Sequence, residues 1–338
     1  MVAKMKDVAE RAGVSLTTVS HVLNRTHIRS ISSGTRQRVL EAARKLHYQP
    51  NVHARRLALR RSNTVGLIIS EISNPFFADV IQSFEKAATE RGLDLLLFNT
   101  EYEPARIEAA VRRMVMEKVR GVAVMTSMFD EARAQELTRS RMPVVLLNEG
   151  PFHPRIRRIQ LNFSTGVAQA VDHLIELGHR TFGIITGPLR SKSAVRIRDV
   201  FIQALAKKGL GCFQPVESYY KVDAGASAVR SILAQPPLPT AILCANDLIA
   251  LGAISALQEA GIRVPEDVSV VGSDDVLFAR LARPPLTTVA VPREHLGRVA
   301  FEVLDNMQRS TRRTPDGYTI ETHLVIRKST APPPSKIS

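Results

Sequence analysis

Residues Met5–Ser30 read MKDVAERAGVSLTTVSHVLNRTHIRS. The stretch divides at Ala12-Gly13-Val14 into two short helical pieces. Val8, Ala9 and Ala12 share one face of the first, which covers Asp7–Arg11. Gly13 permits a sharp turn, because a residue without Cβ enters the left-handed region freely. Ser15 is a good N-cap for a second helix running to about Leu23. Val19, Val22 and Leu23 lie on its inner face at i, i+3, i+4 spacing. Its outer face presents Leu16, Thr17, Ser20 and His21, small or hydrogen-bonding groups suited to a groove. A third helix is expected from about Thr35 to Leu46, capped by the Ser33-Gly34-Thr35 region. The pattern is a helix-turn-helix with a supporting helix.

Charge separates this stretch from an ordinary helical hairpin. The chain has 338 residues and a formal net charge of +14. Residues 1–61 carry 13 Lys/Arg against 3 Asp/Glu, whereas the other 277 residues carry 33 against 29. A solvated basic tail would show the same surplus. A tail needs no core, however, and this segment places Val8, Ala12, Val14, Val19, Val22, Leu23, Val39, Leu40, Ala43 and Leu46 at helical spacing. A basic module with a core of its own is the footprint of a nucleic-acid binder.

Downstream lies YQPNVHARRLALRRSN, Tyr48–Asn63. Pro50 ends whatever precedes it. From Val52 onward Ala54, Leu57 and Ala58 align, with Arg55, Arg56, Arg60 and Arg61 opposite. The run reads either as a charged linker or as a hinge helix that orders on DNA.

After Thr64 short apolar runs alternate with longer helical ones: TVGLIIS, DLLLFNT, GVAVMT and PVVLLN. After RIQLN the series restarts with TFGIITG, VESYYKV, AILCAN and VSVVGSDD. Near-continuous Val/Ile/Leu runs separated by helices indicate parallel sheets covered on both faces, and the restart indicates two doubly wound lobes. Ligands of such sheets bind beyond the carboxyl ends of the strands. Polar residues accumulate there in SEISNPFF, NTE, LNEG, CAND and GSDD. Asp247 reads equally as a helix cap or a ligand contact, and His179, after the helix-ending Gly178, as a surface residue rather than a catalyst.

Other classes find little support. Two cysteines, Cys212 and Cys244, cannot make a disulfide framework or a four-Cys zinc site. GxGxxG, GxxxxGK[ST] and GxSxG do not occur, and no nucleophile has a plausible base. No catalytic residue, metal or cofactor is expected. No run approaches 18 apolar residues, and the amino terminus has no apolar signal core, so a cytoplasmic protein without membrane contact is expected.

The segments MKDVAERAGVSLTTVSHVLN, TRQRVLEAARKLHYQPN and ARRLA together resemble the LacI–GalR family of bacterial repressors. NPFF, ELGHRTFGIITGPL, PTAILCANDLIALGAISALQEAGIRVPEDVSVVGSDD and PPLTTVAVPREHLG resemble that family's effector domain, which is shared with periplasmic sugar-binding proteins. The likeness reaches about residue 328. It implies a helix-turn-helix domain over 1–49, a hinge over 50–62 and an effector and dimerisation domain over 63–328. In the last, lobe 1 takes about 63–161 and 292–320, and lobe 2 about 162–291 and 321–328. Residues 329–338 are expected to form a flexible tail.

The resemblance also implies roles for single residues. Leu16, Thr17 and His21 would read bases in the major groove, and Leu57 would wedge a central base step from the minor groove. Ser15, Thr18, Ser20, Asn24 and Arg55 would hold phosphates or position the protein. Asn74, Phe76 and Phe77 from one lobe and Tyr220, Asn246 and Asp274 from the other would line the effector cleft. The implied partners are a pseudo-palindromic double-stranded operator, a small-molecule effector and a second copy of the chain. A sugar is the favoured effector, with a purine or sugar acid as alternatives.

Three departures from the family pattern stand out. The connection after Asn24 is two residues longer. Val291 replaces the Gln of the HQP motif. The ligand-gripping Arg, four residues before an aromatic, is flanked here by Arg196 and Arg198, of which Arg198 is the choice. Two other functions fit parts of the pattern: a transport solute-binding protein, and a cytosolic α/β enzyme with a regulatory head.

Overall fold

The computed structural model describes residues 3–23, 30–48, 62–147, 153–309 and 317–334. The chain divides between Ser62 and Asn63 into two units.

In the first unit, α1 (Met5–Ala12), α2 (Leu16–Leu23) and α3 (Ser33–Lys45) pack pairwise. Gly13 closes α1 in the left-handed conformation at φ 63°, with the Val14 amide donating to the Ala9 carbonyl at 3.1 Å. That cap satisfies a carbonyl that the helix end would otherwise leave unpaired. The Ser15 hydroxyl accepts from the Thr18 amide at 3.2 Å and starts α2. Ser32, one residue before the expected cap region, caps α3 by accepting from the Thr35 amide. Val8, Ala9, Ala12, Val19, Val22, Val39, Ala42 and Ala43 form the core. Leu40, expected inside, is exposed. The buried face of α3 runs 39, 42, 43, at i, i+3, i+4, and residue 40 lies one step off that stripe.

The second unit holds two α/β lobes. Lobe 1 contains β1 (Thr64–Ile69), α4 (Phe76–Glu90), β2 (Asp94–Asn99), α5 (Pro104–Met116), β3 (Val122–Met125), α6 (Glu131–Arg139), β4 (Val144–Leu147) and β5 (Ile156–Asn162). The chain then enters lobe 2 with α7 (Phe163–Glu176), β6 (Phe182–Thr186), α8 (Lys192–Ala206), β7 (Val216–Glu217), α9 (Val222–Leu233), β8 (Ala241–Cys244), α10 (Asp247–Glu259), β9 (Ser269–Asp274), α11 (Leu277–Leu281) and β10 (Thr287–Ala290). It returns to lobe 1 for α12 (Arg293–Arg309) and β11 (Gly317–Glu321), and ends on lobe 2 with β12 (His323–Val325).

The lobe 1 sheet has the order β11-β5-β4-β3-β1-β2 and is parallel throughout. The lobe 2 sheet has the order β12-β10-β9-β8-β6-β7, with only the β10–β12 pair antiparallel. Every residue of β1 is buried, as a strand covered on both faces requires. Each fully buried Leu, Ile or Phe stabilises the fold by about 1.5–3 kcal/mol. In both sheets the order reverses beside the first strand, between β1 and β3 and between β6 and β8. Those reversals define where a ligand can enter.

The crossings between lobes are tied together. Asn162 donates to the Glu321 carboxylate at 2.8 Å, and its carbonyl accepts from the Thr322 hydroxyl at 2.9 Å. The expected flexible tail does not begin at residue 329. The buried Ser329 hydroxyl donates to the Val270 carbonyl at 2.6 Å and accepts from the Thr287 amide at 2.8 Å. His179, expected at the surface, is buried. Its ring meets the Thr240 hydroxyl at 2.9 Å, the Ser269 hydroxyl at 3.1 Å and the Ala331 carbonyl at 2.9 Å. The segment at Ala331 roofs this histidine, and burial lowers its pKa.

Candidate functional site

Two sites emerge, one in each unit. In the head, α2 exposes Ser15, Leu16 and Thr17 at its amino-terminal end. Thr18, Ser20 and His21 are half-buried on the flanks. Leu16 is 50% exposed although apolar, which leaves its side chain available to a partner. The Ser15 hydroxyl is engaged in capping and also meets the Thr18 hydroxyl at 2.9 Å. Lys4, Lys6, Arg11, Arg38, Arg44 and Lys45 are exposed around the same small body. Asn24, Arg55 and Leu57, and with them the hinge, lie outside the described residues.

In the second unit a cavity of about 680 Å³, part of it open to solvent, lies between the lobes. Asn74, Phe76, Phe77, Tyr220, Asn246 and Asp274 all line it, although up to 200 positions separate them in sequence. The topology explains the convergence. Ser70 and Asn74 follow β1, Met125, Thr126 and Ser127 end or follow β3, Ser191 follows β6, and Ala245 and Asn246 follow β8. These are the strands flanking the two order reversals.

Each lining residue is held by local chemistry. The Asn74 side-chain carbonyl accepts from the Phe76 amide at 3.0 Å, opening α4 so that both rings sit at its first turn. Phe76 and Phe77 meet edge to face, with centroids 5.1 Å apart. Asn246 caps α10 by accepting from the Ile249 amide at 2.9 Å. Asp247, weighed above as cap or ligand contact, is neither. It is fully buried and accepts from the Val276 amide at 2.8 Å and the Thr288 hydroxyl at 2.5 Å. Burial pushes its carboxyl up to about 7, against those two hydrogen bonds. Gly187 lets Tyr220 lie against the backbone, because a Cβ there would fall 2.3 Å from the ring.

Asp274 ends β9 with φ 118°, and Asp275 follows at φ 56°. Two successive non-glycine residues at positive φ store strain at the cavity wall. Burial drives the Asp274 carboxyl well above the usual carboxylate range; Asp247 adds to this and Arg293 opposes it. Arg293 opens α12. Its guanidinium donates to the Asp274 carbonyl of lobe 2 and pairs with Asp79 on α4 of lobe 1 at 2.9 Å. The lobes also touch through the Ser127 and Ser191 hydroxyls at 2.7 Å and through the Tyr102 and Tyr220 rings, whose centroids are 6.2 Å apart.

Arg198 does not join the cavity. Its guanidinium bonds the adjacent Asp199 at 2.7 Å. Arg196 borders a separate shallow groove with Arg190 and Lys192. On this helix the residue between the two arginines, Ile197, turns inward and lines the cavity. Sequence reasoning also missed Tyr102, Thr126, Ser127, Phe163 and Ser191. The position of Thr126 directly after the apolar run GVAVM was an available signal, whereas Tyr102 had none.

Comparison with known proteins agrees with this architecture. Residues 4–51 match the family model described as bacterial regulatory proteins, lacI family, and residues 171–330 match the periplasmic binding protein-like domain. The chain is 38% identical over 339 residues to the HTH-type transcriptional repressor PurR of Edwardsiella ictaluri, covering 98% of both chains. It is 36% identical over 332 residues to PurR of Histophilus somni, covering 97% of this chain and 98% of the relative. The chain belongs to the lacI family of bacterial regulatory proteins.

Solved structures place this lacI-family chain in the same fold. The lac repressor dimer bound to operator and an anti-inducer superposes with a TM-score of 0.88 at 28% identity, covering 98% of this chain and all of that one. A transcriptional regulator CelR–cellobiose complex matches with a TM-score of 0.72 at 30% identity, covering 97% and 99%. The protein is thus a DNA-binding transcriptional regulator with a metabolite-binding domain. Among the described residues no helix is long and apolar enough to cross a membrane.

Proposed function

We propose that this lacI-family protein acts in the cytoplasm as a homodimeric repressor whose grip on its operator is set by a small molecule in the interlobe cavity. It performs no turnover. The observation that carries the reading is the convergence of aromatic and polar side chains from both sheet reversals on one cavity, in a chain that also carries a basic helix-turn-helix.

On DNA, Leu16, Thr17 and His21 read base edges, while Ser15, Thr18, Ser20, Asn24 and Arg55 contact or position the backbone. Leu57 wedges the central step, where a flexible pyrimidine–purine step opens at least cost. Pairing of two copies uses the apolar face formed by Val222, Leu251, Phe278 and Leu281 beside Pro75. Phe278 and Leu281 are respectively 49% and 62% exposed, and the related lac repressor is itself a dimer. A solute-binding role would account for the lobes and leave the basic head without work.

Effector occupancy acts through whichever lobe arrangement it binds better. Arg293 supplies the mechanical link, since one guanidinium holds both the strand end that carries Asp274 and the helix that carries Phe76 and Phe77. The test is selection of operator sequences from random duplexes, followed by titration with and without candidate metabolites. A two-fold-related consensus whose affinity changes with one metabolite is expected. Equal binding to random competitor at moderate salt, with every metabolite tried, would sink the reading.

A further inference from the structure

At the starts of β8, β9 and β10 the chain holds a polar cluster that the cavity does not use. We propose that residues 330–334 form a latch on this cluster, which His173 and His179 hold shut near neutral pH and release on acidification. The chain reaches the cluster in two stages. Arg327 to Ser329 are fixed without a histidine. The Lys328 amide donates to the Pro285 carbonyl at 2.9 Å, the Val270 amide donates to the Ser329 carbonyl at 2.8 Å, and Arg327 pairs with Asp275 at 2.5 Å. Beyond Ser329 the attachments change kind. The Thr330 hydroxyl meets the His173 ring at 3.0 Å, and the Ala331 carbonyl meets the His179 ring at 2.9 Å. Pro333 lies over Gly178, where a Cβ would stand 3.6 Å from the proline ring.

A carbonyl oxygen only accepts, so Nε2 of His179 carries the hydrogen and donates to Ala331. In the neutral ring Nδ1 is then the acceptor, and the Thr240 hydroxyl donates to it at 2.9 Å. A second proton turns Nδ1 into a donor. The Thr240 hydroxyl must then swing to the Thr181 carbonyl, 3.3 Å away, and a positive charge sits among hydroxyls and backbone. Among the described residues no carboxylate hydrogen-bonds either ring. The charged neighbours do not supply one. Asp172 pairs with Lys208 at 2.7 Å, and Asp267, on the approach to β9, pairs with Arg263 at 2.7 Å. Arg180 donates to the His179 and Ile175 carbonyls, and Glu266 and Lys328 are exposed. Burial lowers the pKa of His173 against the pull of Glu176 on the same helix. Burial lowers that of His179 too; the bond to Ala331 opposes this and His173 adds to it. A histidine held below its free value of about 6.5 stabilises the closed form above that pH and stops doing so as pH falls. Acid therefore favours the open latch, in which both rings meet water. Ser269, which loses Ala331 on opening, begins the strand that Asp274 ends.

The sequence offers a reporter and an internal reference, the Thr-Ala pairs Thr330-Ala331 and Thr240-Ala241. Full-length protein labelled with carbonyl carbon-13 threonine and nitrogen-15 alanine gives a separate amide resonance for each. The Ala331 amide donates to the Ser269 hydroxyl at 3.1 Å and reports the latch, whereas the Ala241 amide donates to the Thr181 carbonyl at 3.3 Å and reports the body of lobe 2. Hydrogen exchange at each amide is measured from about pH 7.5 to about pH 5.5 and divided by the rate of an unstructured chain at the same pH. Protection at Ala331 should fall roughly tenfold or more over that range, with protection at Ala241 unchanged. Glutamine can donate to the same oxygens and cannot take a proton, so the double variant His173→Gln, His179→Gln should keep its Ala331 protection constant with pH. Should that protein fail to fold, His173→Gln alone should reduce the fall by roughly threefold. Constant protection of Ala331 in the wild type overturns the proposal. Equal losses at Ala331 and Ala241 overturn it too, because lobe 2 then opens as a whole. A fall that the glutamine variants leave unchanged removes the histidines from the latch.

Discussion

The three-helix head and the interlobe cavity solve opposite problems. Among the described residues the head has eight buried core residues, all Val or Ala, and its candidate base-reading side chains lie outside on one short helix. The cavity lies inside a far larger core and draws its working side chains from loops after at least four strands. The head meets a highly charged polymer, so exposed cations and small groups at helical spacing suffice. The cavity must desolvate a small molecule, so its polar groups are few, buried and individually held. The difference teaches that an electrostatic surface needs local periodicity, whereas an enclosed site needs topology.

Four substitutions test that contrast, in descending size of effect. Asp274→Ala removes a buried acceptor and should weaken effector binding by about 3 kcal/mol, roughly 150-fold. Operator binding by the ligand-free protein should stay within a factor of a few. Unchanged effector affinity by calorimetry would take Asp274 out of the site.

The second prediction concerns pH. In the folded protein Asp247 holds its proton up to about pH 7, whereas an unfolded aspartate releases it near 4. The stability this difference confers is complete below pH 4 and is lost as pH rises toward 7. Wild-type protein should lose on the order of 2 kcal/mol from this carboxyl between pH 5 and 8. Asp247→Asn, which keeps an acceptor for Val276 and gives Thr288 a donor, should flatten that slope in urea titrations. Parallel slopes for the two proteins would show that the buried carboxyl does not titrate in this range.

In the head, Thr17→Ala should alter base preference at one or two positions of each half-site by about 1–2 kcal/mol, without uniform loss of affinity. A selection that returns the wild-type consensus would remove Thr17 from the reading face. The smallest effect is expected for Ser15→Ala, which deletes the α2 cap and should lower head stability by about 1 kcal/mol or less. An increase in melting temperature of the head transition would contradict the capping role.

The two regions were unequally legible. In the head, Val8, Val19, Val22 and Val39 announce their burial through spacing alone, because a helix turns neighbours three and four apart onto one side. Even there Leu40 misled, since composition counts an apolar residue without knowing which side of the stripe it takes. In the lobes, TVGLII and AILC read as buried strands and the motif NPFF located one wall of the cavity. Arg198 shows the limit. On α8 the inward stripe passes through Ala194, Ile197 and Phe201, so the arginines at 196 and 198 fall outside it. Their chemistry suggested a contact that their phase on the helix denies. Ser329 and His179 fail for another reason: each is buried by a segment more than 50 residues away.

What the sequence determined by itself was whatever depends on neighbours within a turn or a strand: helix phase, caps, continuous apolar strands, the basic head and the family motifs. The tertiary structure alone decided that Tyr102, Thr126 and Ile197 share a cavity with Asp274, that among the described residues no cationic side chain lines it, and that the segment at Ala331 covers His179. The physical reason is that these properties belong to the distance between segments, which the order of strands in a sheet sets and the spacing of residues along the chain does not.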